Sequence, residues 1–149
     1  MTQASGGSAQ EYRSRAEDRR RRATRAASEK AEALYRRALV SDSTYAPALA
    51  GLGALYVQRA HNLGLGRTWL NEAITAAEQA IVLDPQLADA HRAVASACTH
   101  KGWLRRGLEA NRRSYELAPS AMAAQGIGWT LWFTGRADEA LPWPSSSGT

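Results

Sequence analysis

Small and apolar residues recur along this chain with a period close to 34 residues. Residues 83–85 (Leu-Asp-Pro) align with 117–119 (Leu-Ala-Pro) at an offset of 34, whereas residues 48–56 align with 90–98 at an offset of 42. One insertion of eight residues, between positions 56 and 73, explains both offsets. Self-similarity at such a period is typical of stacked supersecondary units.

The repeating units are predicted to be helices. Ala, Leu, Glu and Arg dominate the chain and favour helices, while Val, Ile and Phe are too scarce to build a sheet. Pro85 and Pro119 cannot continue a helix interior, so each marks a boundary. Ser120 follows as a plausible N-cap of a third copy, in which Val94 maps onto Ile127 at an offset of 33.

This pattern resembles the tetratricopeptide repeat (TPR), whose first helix carries Leu-Gly and then Tyr, whose second carries two Ala, and which closes with Pro. The first full copy has Leu49, Leu52, Gly53, Tyr56, Ala73, Ala80 and Pro85 at these positions. The second has His91, Val94, Ala95, Cys98, Gly107, Ser114 and Pro119, and the third has Ala124, Ile127, Gly128, Leu131 and Ala140. The resemblance covers about residues 30–141 and implies an all-α fold of tandem helical hairpins in a right-handed solenoid.

The resemblance, together with composition at the two ends, divides the chain into segments. We expect a disordered N-terminus at 1–9, a basic helix at 10–30 and a disordered tail at 142–149. Between them lie a partial repeat at 31–45, full repeats at 46–87 and 88–120, and a partial repeat at 121–141. Pro142 and Pro144 end the last helix early and leave the array without a polar cap. Self-association through this uncapped repeat, giving a homo-oligomer, is therefore one possible function.

The net charge of +5 lies wholly in residues 1–37, which hold ten basic and five acidic side chains. Ser8 and Glu11 fit a capping box that would start a helix. The candidates for contacting phosphates are Arg13, Arg15, Arg19, Arg20, Arg21, Arg22 and Arg25. They give the runner-up hypothesis, ahead of self-association: a helix that binds a polyanion such as nucleic acid or an anionic membrane. Acids placed four residues before arginines, as in Glu32–Arg36, favour instead an exposed, solvated helix.

Composition narrows the class of protein. Hydrophobic residues make up 44% of the chain, enough to bury a core. The single cysteine cannot form an internal disulfide, and the first ten residues contain no apolar signal region. No run of about 18 apolar residues predicts a membrane span. We therefore expect a cytoplasmic protein.

Partner binding is expected in the concave groove, because TPR proteins bind segments of other proteins there through their first helices. The candidate residues are Arg92, Ser96, Gln125, Trp129, Trp132 and Phe133. The positions of the Lys/Asn carboxylate clamp of some family members hold Ala50, Gly51 and Ala54, so that clamp is absent. If the aromatic residues face the groove, the ligand is expected to be apolar or amphipathic rather than an acidic tail. They could equally pack in the core.

No motif predicts an enzyme, a metal or a cofactor. His91 and Cys98 share a helix face, but two ligands are too few for a zinc site and no acid completes a triad, so core packing is favoured. Residues 63–68 only faintly resemble a phosphate-binding loop, since the Gly-Lys-Ser/Thr ending and a preceding strand are missing. Scaffolding by protein–protein contact is the function that the sequence favours.

Overall fold

The computed structural model describes residues 7–135, which form seven α-helices. The helices are α1 (Ala9–Arg20), α2 (Arg25–Ser41), α3 (Ala46–His61), α4 (Thr68–Leu83), α5 (Ala88–Lys101), α6 (Leu104–Leu117) and α7 (Ala121–Phe133). Consecutive helices pack in pairs as hairpins, and the first helices α1, α3, α5 and α7 also contact one another in order. The predicted all-α fold of tandem helical hairpins is therefore confirmed.

The N-terminal basic segment differs from the single helix predicted over 10–30. Ser8 does form the capping box with Glu11, whose backbone N–H donates to Ser8 Oγ at 3.2 Å. However, α1 ends at Arg20, and Ala23 adopts a left-handed φ of 55°. Thr24 then caps α2 by accepting a hydrogen bond from a backbone N–H of its first turn. The segment therefore forms a helical hairpin.

This hairpin gives α2 a partner that was not predicted from the sequence. On α1, Ala9, Tyr12 and Ala16 are buried, at spacings of three and four residues that place them on one helix face. This face packs on α2, where Ala31 and Tyr35 are fully buried. The partial repeat predicted at 31–45 is thus the second half of a complete helical hairpin.

The eight-residue insertion is divided between helices and loop. Helices α3 and α4 have 16 residues each, where α5 and α6 have 14. The loop at 62–67 has six residues, where the loop at 102–103 has two. Two extra residues in each helix and four in the loop account for the whole insertion. Gly64 and Gly66 in this loop take positive φ angles of 64° and 118°, which glycine adopts without strain.

Among the predicted small positions, Gly53 lies at a close approach of helices and Gly128 does not. A Cβ added at Gly53 would lie 3.2 Å from the carbonyl oxygen of Ala73 on α4 and 3.3 Å from the Cβ of Ala93 on α5. A Cβ at Gly128 would meet nothing within 4 Å among residues 7–135. Ala140, its counterpart on the predicted next helix, lies outside the described residues, as do the predictions for residues 1–6 and 136–149.

Two prolines and one serine mark helix ends in the second half of the described chain. Pro85 and Pro119 lie in the loops after α4 and α6, and Ser120 caps α7 by accepting from the backbone N–H of Ala123 at 3.1 Å. In the described part of the chain, no helix combines the length and hydropathy needed to cross a lipid bilayer.

Candidate functional site

The first helices line a groove along one face of the array. Its floor on α3 includes Ala50, Gly51 and Ala54, the positions that lack the Lys/Asn clamp. A cavity of about 310 Å³ lies over this floor and extends to side chains of α1, α5 and α7. We call it the N-terminal cavity. The ring of Tyr35 fills the space beside Gly51, since a Cβ added there would clash with it, so the small side chains that border open space are Ala50 and Ala54.

Five charged side chains line the N-terminal cavity, and positive and negative charges alternate along the series. Arg20 lies 2.5 Å from one carboxylate oxygen of Glu17, and Arg13 lies 4.0 Å from the other. Arg13 also lies 3.7 Å from one carboxylate oxygen of Asp89, and Arg92 lies 3.1 Å from the other. Three guanidinium groups therefore share two carboxylates, so one positive charge is in surplus.

A buried tyrosine holds one end of this series in place. Tyr35 Oη donates to Glu17 at 2.5 Å and accepts from Arg20 Nε at 3.1 Å. Burial alone would raise the pKa of Glu17, but the hydrogen bond from Tyr35 and the charge of Arg20 outweigh it and lower that pKa. Burial and the neighbouring carboxylate raise the pKa of Tyr35 well above its usual value. The tyrosine therefore remains a neutral donor that fixes the Glu17 carboxylate.

A second cavity, of about 640 Å³, adjoins the first and shares Arg92, Ser96 and Met122 with it. We call it the C-terminal cavity. Gln125 and Trp129 of α7 also line it. Met122 is 62% exposed and Trp129 is 48% exposed, so this end of the groove presents apolar surface to solvent. Such exposed apolar surface beside polar groups is typical of an interaction site.

The structure brings most of the predicted groove residues together. Arg92, Ser96, Gln125 and Trp129 line the C-terminal cavity. Phe133 is 61% exposed and packs against Trp129, with ring centroids 4.2 Å apart. Trp132 is 69% exposed and is not among the residues that line either cavity. Within residues 7–135, none of the three aromatic side chains is buried in the core.

The predicted phosphate-contacting arginines do not share one surface. Arg13 and Arg20 line the N-terminal cavity, where carboxylates pair with them. Arg15 lies over the ring of Tyr12 at 5.7 Å, and Arg22 lies 4.0 Å from Asp18. Arg19 lies on the last turn of α1, Arg21 follows α1, and Arg25 begins α2. Arg13 and Arg20 were predicted to belong to a separate basic helix, whereas the structure places them in the groove with Arg92.

A buried arginine at the joint between the first two hairpins was not found from the sequence. Arg59 of α3 is 5% exposed, lies 2.8 Å from the carboxylate of Glu32 and donates from Nε to Ser28 Oγ at 2.7 Å. Its guanidinium also lies 4.7 Å from the ring centroid of Trp69. The only sequence feature that marked it was a charge within an otherwise apolar stretch of α3, and its partners are 27 and 31 positions earlier in the chain.

Glu32 connects this arginine to two further side chains. Tyr56 Oη donates to Glu32 at 2.8 Å, and Arg36 lies 2.9 Å from the same carboxylate. Burial alone would raise the pKa of Glu32, but the hydrogen bonds from Arg59, Tyr56 and Arg36 outweigh it and lower that pKa. Burial and the Glu32 carboxylate raise the pKa of Tyr56 to about 12. The network joins α2 to α3 and fixes the angle between the first two hairpins.

The surroundings of the remaining sequence candidates favour a structural role over a chemical one. Cys98 is fully buried, and burial raises the pKa of its thiol, which disfavours a reactive thiolate. His91 is partly exposed, and its Nε2 lies 2.9 Å from the carbonyl oxygen of Pro85. Residues 63–68 form the α3–α4 loop and the first residue of α4, so no strand precedes them.

Solved structures share this fold. A thermophilic TPR protein from Thermus thermophilus, TTC0263, superimposes with a TM-score of 0.67 at 18% identity, over 78% of this chain and 61% of that one. MamA gives 0.63 at 25% identity, over 79% and 65%. A Thermobaculum terrenum O-GlcNAc transferase mutant gives 0.70 at 25% identity, over 91% of this chain but only 25% of that one. No protein-family model and no curated protein matches the sequence.

The helical hairpins, their stacking order and these neighbours define the class of protein. The chain is a TPR-like helical repeat protein, a right-handed solenoid of tandem hairpins. It spans less than two thirds of the length of TTC0263 and of MamA, so it matches only part of either array. TPR-like arrays are generic scaffolds, and that is the level of function that the comparisons support.

Proposed function

We propose that this protein is a non-catalytic scaffold that binds a segment of a partner protein in the groove formed by α1, α3, α5 and α7. The observation that carries the proposal is the pair of adjoining cavities, which share Arg92, Ser96 and Met122. Together they form a continuous concave surface that contains both charged and exposed apolar side chains. Trp and Arg are the residue types that most often anchor protein interfaces.

Two tryptophans give a matched test of this proposal. Trp129 lines the C-terminal cavity and is 48% exposed, whereas Trp103 is 47% exposed and precedes α6 outside both cavities. In a nuclease-treated pull-down from source-cell lysate, Trp129→Ala is expected to lose a protein that both the wild type and Trp103→Ala retain. Circular dichroism of each variant checks that the helices are intact. Equal retention by all three baits would refute groove binding.

The polyanion alternative has weaker support than groove binding. Only Arg20 is held closely, at 2.5 Å from Glu17, but carboxylates also lie 3.7 Å from Arg13 and 4.0 Å from Arg22. The turn after Arg20 breaks the basic segment into two helices. A contiguous row of unpaired cations would be expected of a phosphate-binding surface. The nuclease step also tests this alternative, because partners recovered only without nuclease would favour binding to nucleic acid.

A further inference from the structure

The two cavities of the groove differ in chemistry, and this difference specifies a kind of ligand. The N-terminal cavity is lined by five charged side chains and by small ones, and the C-terminal cavity by Met122 and Trp129 with few charges. Because the cavities share Arg92, Ser96 and Met122, a single short segment can occupy both. The deduction rests on the proposed function, since it concerns the ligand of the same groove.

The N-terminal cavity is lined by one more positively charged side chain than negatively charged ones. Arg20, Arg13 and Arg92 alternate with Glu17 and Asp89, so each carboxylate lies between two guanidinium groups. A third carboxylate, supplied by a ligand, would balance the series. Glu17 and Asp89 repel a carboxylate, but the three cations outnumber them and favour it over a basic group.

Arg13 is the group best placed to receive that carboxylate. It lies 4.0 Å from Glu17 and 3.7 Å from Asp89, distances at which neither contact is a good hydrogen bond. Its Nε makes no hydrogen bond to any of residues 7–135, but that atom is enclosed. A ligand would therefore reach this side chain, which is 33% exposed, at its terminal nitrogens. The neighbouring cations Arg20 and Arg92 are held more closely, at 2.5 Å from Glu17 and 3.1 Å from Asp89. Arg13 therefore has the unmet donor capacity that a ligand carboxylate would fill.

We propose that the groove binds a protein segment in which an acidic side chain lies close in sequence to a large apolar one. The acidic group would contact Arg13 in the N-terminal cavity, and the apolar group would pack on Met122 and Trp129 in the C-terminal cavity. This proposal adds an acidic side chain to the apolar or amphipathic ligand expected from the sequence, because the sequence alone did not place α1 in the groove. The acidic group would be bound by arginines of α1 and α5, and no Lys/Asn clamp would be needed.

The test begins with a randomised peptide display library selected on the immobilised chain. The enriched peptides are expected to combine Asp or Glu with Trp, Phe, Leu, Ile or Met at nearby positions. The affinity of one enriched peptide is then measured by fluorescence anisotropy, together with a version in which Gln replaces Glu and Asn replaces Asp. The uncharged version is expected to bind about tenfold more weakly, the usual cost of losing a charge-assisted hydrogen bond.

Three variants then identify the residues. Arg13→Gln is expected to lose about tenfold in affinity. Arg15→Gln removes the same charge from the same helix outside both cavities and should leave the affinity within about twofold, as expected for an exposed charge in salt. Asp89→Asn removes a competing carboxylate and is expected to tighten binding, which a merely structural role of Asp89 would not produce. Urea unfolding confirms that each variant is folded.

The outcomes separate this inference from the function on which it rests. If the enriched peptides are apolar without acid, and Trp129→Ala abolishes their binding, the inference is wrong and the groove function stands. If Arg13→Gln and Arg15→Gln weaken binding equally, the attraction is a general charge effect and the inference is also wrong. If no peptide is enriched over a Trp129→Ala bait, both proposals are wrong.

Discussion

The two ends of the array use their side chains differently. At the N-terminal end, buried polar groups join the helices: Arg59 with Glu32, and Tyr35 with Glu17. At the C-terminal end, α6 and α7 meet through uncharged side chains, the apolar Leu108, Ile127 and Leu131 and the polar Asn111, while α7 exposes aromatic rings. We infer from this difference that the N-terminal networks fix the geometry of the groove and that the exposed rings of α7 contact the proposed partner.

Breaking the buried network should have the largest effect on folding. Arg59→Met is expected to lower the free energy of unfolding by about 3 kcal/mol, the low end for a broken buried ion pair, because Glu32 keeps Tyr56 and Arg36. The exposed pair between Arg106 and Glu78 gives a matched control. Arg106→Met should change the free energy of unfolding by less than about 1 kcal/mol.

Urea unfolding followed by circular dichroism measures both variants. The proposed difference between the two ends would be contradicted if the Arg106 variant lost as much stability as the Arg59 variant. In that case the buried network would contribute no more than a surface ion pair, and the N-terminal end would not be specially stabilised.

Two glycines extend the comparison. Gly53 is enclosed by neighbouring helices, whereas Gly128 has no described atom within contact distance of an added Cβ. Gly53→Ala places a Cβ against the backbone of α4 and should destabilise the fold by about 1 kcal/mol, since overpacking outweighs the gain in helix propensity. Gly128→Ala places a Cβ where the described residues leave space, so it should stabilise the fold by about 0.5–1 kcal/mol. Thermal denaturation would contradict this prediction if both midpoints moved in the same direction.

The pH dependence of stability should come mainly from the N-terminal networks. The pKa of Glu17 and of Glu32 is lowered in the fold from an ordinary 4.5, so their stabilisation is complete above pH 4.5 and is lost as pH falls further. The pKa of Tyr56 is raised from 10.0 to about 12, so its contribution is complete below pH 10 and is lost as pH rises toward 12. Stability should therefore be highest between these limits.

The measurement is the free energy of unfolding across this pH range for the wild type and for a Glu17→Gln/Glu32→Gln variant. The variant should lose less stability below pH 4.5 than the wild type does. Glu116→Gln is a suitable control for the substitution itself, because it removes a carboxylate whose side chain is 64% exposed beside Arg113. If the double variant lost as much stability below pH 4.5 as the wild type does, groups other than Glu17 and Glu32 would be responsible for that loss.

The smallest effect on stability is expected at the C-terminal end. Trp129 is half exposed, so Trp129→Ala should change the free energy of unfolding by about 0.5 kcal/mol or less. The same variant should lose partner binding, which would separate the binding role of this residue from any structural one. A large loss of stability would show instead that the ring packs as part of the core.

The repeat and its boundaries could be predicted because single residues determine them. Pro85 and Pro119 end helices by their covalent structure, and Ser120 caps α7 through its own hydroxyl. Gly53 follows from the period, since a repeated small residue marks a repeated close contact. These features are local or periodic, and one sequence contains enough information to find them.

The composition of the groove could not be predicted in the same way. The turn at 21–24 interrupts a run of residues with high helix propensity, so the sequence predicts a separate basic helix there and not a hairpin. The pairing of Arg13 with Asp89 then depends on how three hairpins stack, which no local pattern encodes. The same holds for Arg59 and Glu32, which meet only when α2 packs on α3.

The central claim is that the concave face is the surface that contacts the partner, and site-specific photo-crosslinking tests it most directly. A benzophenone amino acid is placed at Ser96, which both cavities share, at Glu109 on the exposed side of α6, or at Arg21 in the turn after α1. After irradiation in nuclease-treated source-cell lysate, we expect a discrete protein adduct from Ser96 alone, absent when Trp129→Ala is introduced. Equal or stronger adducts from Glu109 or Arg21, or an adduct from Ser96 that survives Trp129→Ala, would contradict the account.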